Sequence, residues 1–118
     1  MILGDFELEA APRNVIIFSD LNGNEPYTDW IDNLKDKINQ QRIRTRVRRL
    51  EQGNFGDHES VGDGVSELRL FFGSGFRVYY AEDGQKIILL LCGGDKKSQK
   101  KDIENAKIYW KEYLNDNE

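Results

Sequence analysis

The chain is poor in the side chains that most often carry chemistry. Its 118 residues include one cysteine, one histidine, one methionine and two prolines. A single thiol cannot close an internal disulfide, which fits a reducing, cytoplasmic setting. Cys92 lies inside an apolar run. With one histidine in the chain to activate it, it reads as a buried, inert thiol and not a nucleophile. No window approaches the roughly 18 apolar residues of a membrane span. The N-terminus lacks a basic stretch followed by an apolar run, so neither an anchor nor a signal peptide is expected. Asp95, Asp102 and their neighbours show no metal-ligand spacing, and no cofactor is expected.

Charge is what the chain has in quantity. Charged residues make up 32% and hydrophobic ones 38%, a balance that fits one small α+β domain over residues 1–118 with one core. The net charge of −4 is unevenly spread. Residues 1–36 hold two cations against eight anions, residues 37–101 thirteen against eight, and residues 102–118 two against five. A basic middle between acidic ends can bind a polyanion locally while the whole stays acidic.

Residues 1–12 are acidic and unpatterned and read as a loosely ordered lead-in. Val15 to Phe18 reads as a first strand. Pro26 suits the first position of a helix, and Tyr27, Trp30, Ile31 and Leu34 follow at helical spacing. Residues 37–50 continue with Ile38, Ile43, Val47 and Leu50, as either a second helix or the far half of a kinked one. Gly53 is placed for a left-handed C-terminal cap. Residues 61–64 form a polar approach to the sheet. Strands are predicted over 65–72, 76–81 and 86–92, the last apolar on both faces and so at the centre of the sheet. Ser98 can cap a last helix whose core face is Ile103, Ala106, Trp110 and Leu114. Trp30 and Trp110 read as packing residues.

The hairpin carries the functional signal. A three-residue loop at Gly73-Ser74-Gly75 pairs Phe72 with Phe76, Leu70 with Val78 and Leu68 with Tyr80 on an apolar face that should receive the helices. The opposite face then holds Arg69 across from Tyr79 and Phe71 across from Arg77. Two arginines interleaved with two aromatics can hold phosphate and stack a base. A second cluster, Gly93-Gly94-Asp95-Lys96-Lys97-Ser98-Gln99-Lys100-Lys101, puts lysines at a helix N-terminus. The dipole alone would disfavour cations there by about 0.3–1 kcal/mol each, whereas an anion would find free amides.

Taken together, these residues resemble a known family. Gly-Asn-Phe-Gly-Asp at 53–57, Gly-Val-Ser-Glu-Leu-Arg at 64–69 and Gly-Ser-Gly-Phe-Arg-Val-Tyr-Tyr at 73–80 come first. Leu-Leu-Leu-Cys-Gly-Gly-Asp-Lys at 89–96, Ser-Gln at 98–99 and Asp-Ile at 102–103 follow. The ordered series resembles the RelE/ParE superfamily of bacterial toxins, in its HigB-like "addiction module killer protein" subgroup, over residues 15–114. The resemblance implies a small antiparallel sheet packed against two N-terminal helices, with a C-terminal helix. It also implies a toxin of a type II toxin–antitoxin pair that cleaves mRNA in the ribosomal A site, and a cognate antitoxin, usually of helix-turn-helix type. Arg77 matches the catalytic arginine of such toxins most directly, Lys96 a basic phosphate-contacting position, and Arg69 the subgroup's own block. Phe71, Tyr79, Lys97 and Lys100 fall to RNA contact. Arg42, Arg44, Arg46, Arg48 and Arg49 cannot share one helix face. Part of the run is solvated and the rest meets ribosomal RNA or the antitoxin, with Arg46 and Arg49 assigned to RNA. Tyr79, Glu67 and His58 are the choices for a general base, although His58 in Asp-His-Glu reads first as a solvated histidine. A ParE-like inhibitor of DNA gyrase, or a decayed toxin that only binds antitoxin, remains open, as does the oligomeric state.

Overall fold

Helices cover both faces of the sheet, so the two strands at its middle are buried over most of their length. The computed structural model describes residues 12–117, so residues 1–11 of the expected lead-in lie outside the described residues. The strands are β1 (Asn14–Ile17), β2 (His58–Gly62), β3 (Val65–Arg69), β4 (Arg77–Asp83) and β5 (Ile87–Gly94). The helices are α1 (Pro26–Asp32), α2 (Lys37–Glu51) and α3 (Gln99–Asp116). The five strands lie in the order β1-β5-β4-β3-β2. On one face α1 and α2 bury Ile31, Ile43 and Leu50 against Leu68, Val78 and Ile88. On the other, α3 packs Ala106 against Val65, Tyr79, Ala81, Leu89 and Leu91. Among the described residues no helix is long and apolar enough to cross a membrane.

The α+β character and the C-terminal helix are as expected, with two departures in the sheet. It is mixed and not wholly antiparallel, because β1 pairs parallel with β5. The reason is connectivity: α1 and α2 carry the chain from β1 at one edge to β2 at the other, and β5 returns to lie beside β1. The central strand is β4, with β5 next to it. β5 still reads as apolar throughout because each of its faces meets a helical layer, Ile88 and Leu90 on one side, Leu89 and Leu91 on the other.

Local chemistry explains the helix boundaries. The helical region is two helices. Asp36 caps α2 by accepting from the N–H groups of Ile38 at 2.8 Å and Asn39 at 3.3 Å. Gly53 ends it with φ +80°, and Gly53 and Asn54 donate back to Leu50 and Arg49 at 3.0 and 2.9 Å.

Trp30 is the packing residue its spacing implies, set edge-on to Phe76 with centroids 6.1 Å apart. Its ring also fills the space above Gly93, where an added Cβ would lie 2.2 Å from Trp30 Cε3. Gly93→Ala should therefore overpack the α1 layer and cost about 1–3 kcal/mol. A thermal melt should show a midpoint lower by roughly 5–15 °C.

Candidate functional site

Residues 65, 67 and 69 of β3 share a face, and the observed register sets them against 81, 79 and 77 of β4. Arg69 therefore stands directly opposite Arg77, and Glu67 opposite Tyr79. The expected three-residue hairpin loop is replaced by a five-residue loop, residues 71–75, closed by Leu70 N–H to Phe76 O at 3.0 Å. The register thus moves by two residues. An even shift preserves each side chain's face but changes its partner, so Arg69 faces Arg77 where Tyr79 was expected. Phe72 and Phe76 still touch, with ring centroids 5.7 Å apart, now as loop neighbours. Phe71 leaves the strand altogether and is 82% exposed.

Like charges directly opposite one another are unfavourable, and Glu67 resolves the conflict. Its carboxylate is 3% exposed. Oε1 lies 3.3 Å from Arg69 Nε, and Oε2 lies 3.4 Å from Arg77 Nε. Neither Nε–H has a hydrogen-bond partner among the described residues, so these are contacts of charge more than of aligned donors. Oε2 also accepts from the Tyr79 hydroxyl at 3.0 Å and from Gln99 Nε2 at 2.9 Å. Arg69 reaches Glu59 on β2 as well, and Arg77 Nη1 donates to Gly75 O at 2.6 Å. The guanidinium groups are thus fixed from behind while their side chains stay 30% and 15% exposed.

Lys96 arrives from the turn before α3. Its N–H donates to Ser74 O at 3.3 Å, which docks that turn on the hairpin loop next to Gly75. Asp95 organises the turn by accepting from Lys97 N–H at 3.0 Å and Ser98 N–H at 3.1 Å. Burial pushes the Asp95 carboxyl up, but hydrogen bonds from Ser98, Ser74 and Lys97 outweigh it and hold it below the usual range. Ser98 stands at the N-cap position of α3 without capping it. Its hydroxyl donates instead to Asp102 Oδ2 at 2.5 Å, and burial keeps the Asp102 carboxyl above its usual range. Lys96, Lys97 and Lys100 are exposed.

Several expected roles change with this geometry. Tyr79 is fully buried against the α3 layer, so its ring is not available to stack a base. Burial and then the adjacent Glu67 charge push its hydroxyl pKa up, which removes it as a base near neutral pH. His58 pairs in register with Leu68, on the face away from the arginines, and its Nδ1 sits 2.9 Å from Gly56 O. Of the three candidate bases Tyr79 and Glu67 lie in the cluster, Tyr79 as a buried donor and Glu67 with its oxygens already surrounded by donors. The cluster also contains Glu59 and Gln99, which sequence reasoning did not assign. Glu59 required recognition of β2, an exposed edge strand with no apolar alternation. Gln99 lies on a helix that crosses behind the sheet, where strand periodicity gives no signal. Among the described residues no three His, Cys, Asp or Glu side chains converge as metal ligands would.

Cys92 is buried, and burial raises its thiol pKa to about 12. The native protein should therefore resist iodoacetamide at pH 8, with full labelling once denatured. Rapid native labelling would contradict the buried placement.

The fold and site define a small mixed α+β protein presenting anchored cations at one end of its sheet. The chain belongs to the phage-derived Gp49-like proteins (DUF891), whose family model matches residues 29–111, a span that includes the whole cluster. That family is toxin-like and related to RelE. An uncharacterized protein of Haemophilus influenzae is 45% identical over 82 residues, covering 70% of this chain and 83% of that protein.

Proposed function

We propose that this protein is a HigB-like toxin of a type II toxin–antitoxin pair, a ribosome-dependent endoribonuclease acting in the cytoplasm. One observation carries the reading. Arg69 and Arg77 stand opposite each other on a buried carboxylate, partly exposed, with Lys96 docked beside the same loop. Such an arrangement offers preorganised charge to a phosphodiester. In the proposed reaction the ribose 2′-oxygen bonds to the adjacent phosphorus and the bond to the 5′-oxygen breaks. The hydroxyl proton passes to solvent, and the leaving oxygen takes one from solvent. A 2′,3′-cyclic phosphate and a 5′-hydroxyl result. Arg77 stabilises the charge on the non-bridging oxygens, while Arg69 and Lys96 hold flanking phosphates. Lys97 and Lys100 extend the contact. Positioning of the message by the ribosome replaces a dedicated base on the toxin. A helix-turn-helix antitoxin is the proposed neutralising partner.

Inducing the chain alone and mapping transcript 5′ ends tests the reading. New ends inside translated messages are expected within minutes of growth arrest. Intact messages with DNA damage would assign gyrase inhibition instead, and unimpaired growth would leave only antitoxin binding.

A further inference from the structure

Three arginines of α2 stay outside the Glu67 cluster and face one concavity. Arg42, Arg46 and Arg49 are spaced by four and three residues, which places them on one side of the helix. They line a hollow of about 790 Å³ whose far wall includes Arg69 and Phe71. Arg44 and Arg48 point elsewhere, Arg44 to Asp32 and Arg48 to Thr45. The three α2 guanidinium groups thus meet a single lining carboxylate, Asp57, and among the described residues none of them has a carboxylate within ion-pair distance, whereas the guanidinium of Arg69 is held by Glu59 and Glu67. Arg46 is held half-buried by Nη2 donating to Phe55 O at 2.5 Å, in space that Gly56 leaves open. Its Nη1 is buried without a partner among the described residues, and burial and the neighbouring Arg49 both lower its pKa. Arg42 is fixed at the rim over the Phe72 ring, 4.0 Å from its centroid. Clustered, uncompensated guanidinium groups favour an anionic ligand.

Phe71 narrows the class of ligand. It is a large aromatic ring left 82% exposed at the edge of a cationic hollow. Phosphate on arginine together with a ring for stacking matches single-stranded nucleic acid, whose unstacked bases a duplex does not offer. Arg69 lines this hollow at the end of β3, but its guanidinium lies with Glu67 on the opposite, α3 face of the sheet, so the groove is a surface distinct from the Glu67 cluster. We infer that the α2 groove is a single-stranded RNA track in which Arg42, Arg46 and Arg49 hold successive phosphates and Phe71 stacks one base. This rests on the nuclease reading for RNA as the polymer, and on the groove alone for the binding.

The test uses the purified full chain and fluorescence anisotropy with a labelled eight-nucleotide 2′-O-methyl RNA, which cannot be cleaved. An oligoglutamate peptide serves as the second probe. Arg42 and Arg49 are exposed, so Arg42→Gln/Arg49→Gln should stay folded, as circular dichroism would check. The expected result is a loss of RNA affinity of about 20-fold or more, with the slope of log affinity against log salt reduced by about 1.4. Phe71→Ala should weaken binding about fivefold or more at nearly unchanged slope. Equal affinity of wild type and double variant would overturn the groove, whatever cleavage assays show. Binding of oligoglutamate but not RNA would overturn it in favour of an acidic protein segment. Groove-dependent RNA binding alongside absent mRNA cleavage would uphold the groove and refute the nuclease reading.

Discussion

Glu67→Gln lowers the stability of the fold by about 2–4 kcal/mol, a large fraction of what a domain this size has. The isosteric change keeps the volume and removes the one charge that sits between Arg69 and Arg77. Those guanidinium groups, directly opposite on β3 and β4, then repel each other at a position from which the sheet cannot move them. Removing one member of a buried ion cluster typically costs about 3–5 kcal/mol. The estimate is reduced because Arg69 is 30% exposed and water screens part of the repulsion. A urea melt should show the loss, smaller at 0.5 M than at 0.05 M salt. Adding Arg77→Gln to Glu67→Gln should restore part of it, with a coupling energy of about 1 kcal/mol or more. A Glu67→Gln protein within about 0.5 kcal/mol of wild type would show that the carboxylate does not hold the pair.

Arg77→Ala gives the largest expected change in activity, a fall of about 10²–10³-fold in cleavage, as for removal of one preorganised transition-state donor. Stability should change little, because Glu67 keeps Arg69, Tyr79 and Gln99 as partners. Arg77→Lys should recover only part of the rate. An ammonium is a point charge and cannot span both Glu67 and Gly75 O while presenting a planar fork to phosphate. Cleavage by Arg77→Ala within threefold of wild type would remove Arg77 from the site.

The parts of this fold that were legible in the sequence are those written in apolar periodicity. α1, α2, α3 and the three inner strands announce themselves because each buries a face, and the shared face of Arg69 and Arg77 follows from parity alone. Parity does not encode partners. The register depends on how the 71–75 loop closes, and a shift of two residues changed Arg69's neighbour from Tyr79 to Arg77. β2 was illegible because an exposed edge strand has nothing to bury. The parallel β1–β5 pair, between strands about seventy residues apart, has no local signature. Glu67 was visible as a neighbour of Arg69. Its role as the shared anchor came from α3 covering that face and excluding water, which a strand pattern cannot report. The same helix turned Tyr79 from a stacking platform into a buried donor.

The proposed function requires that this anchored arginine pair break RNA on the ribosome, which single-turnover cleavage of a defined mRNA on purified ribosomes measures. The expected result is a discrete cut with a 2′,3′-cyclic phosphate end, made by the wild type and slowed at least ~100-fold in a folded Arg77→Ala protein. Intact message with the wild type, or equal rates for both proteins, would contradict it.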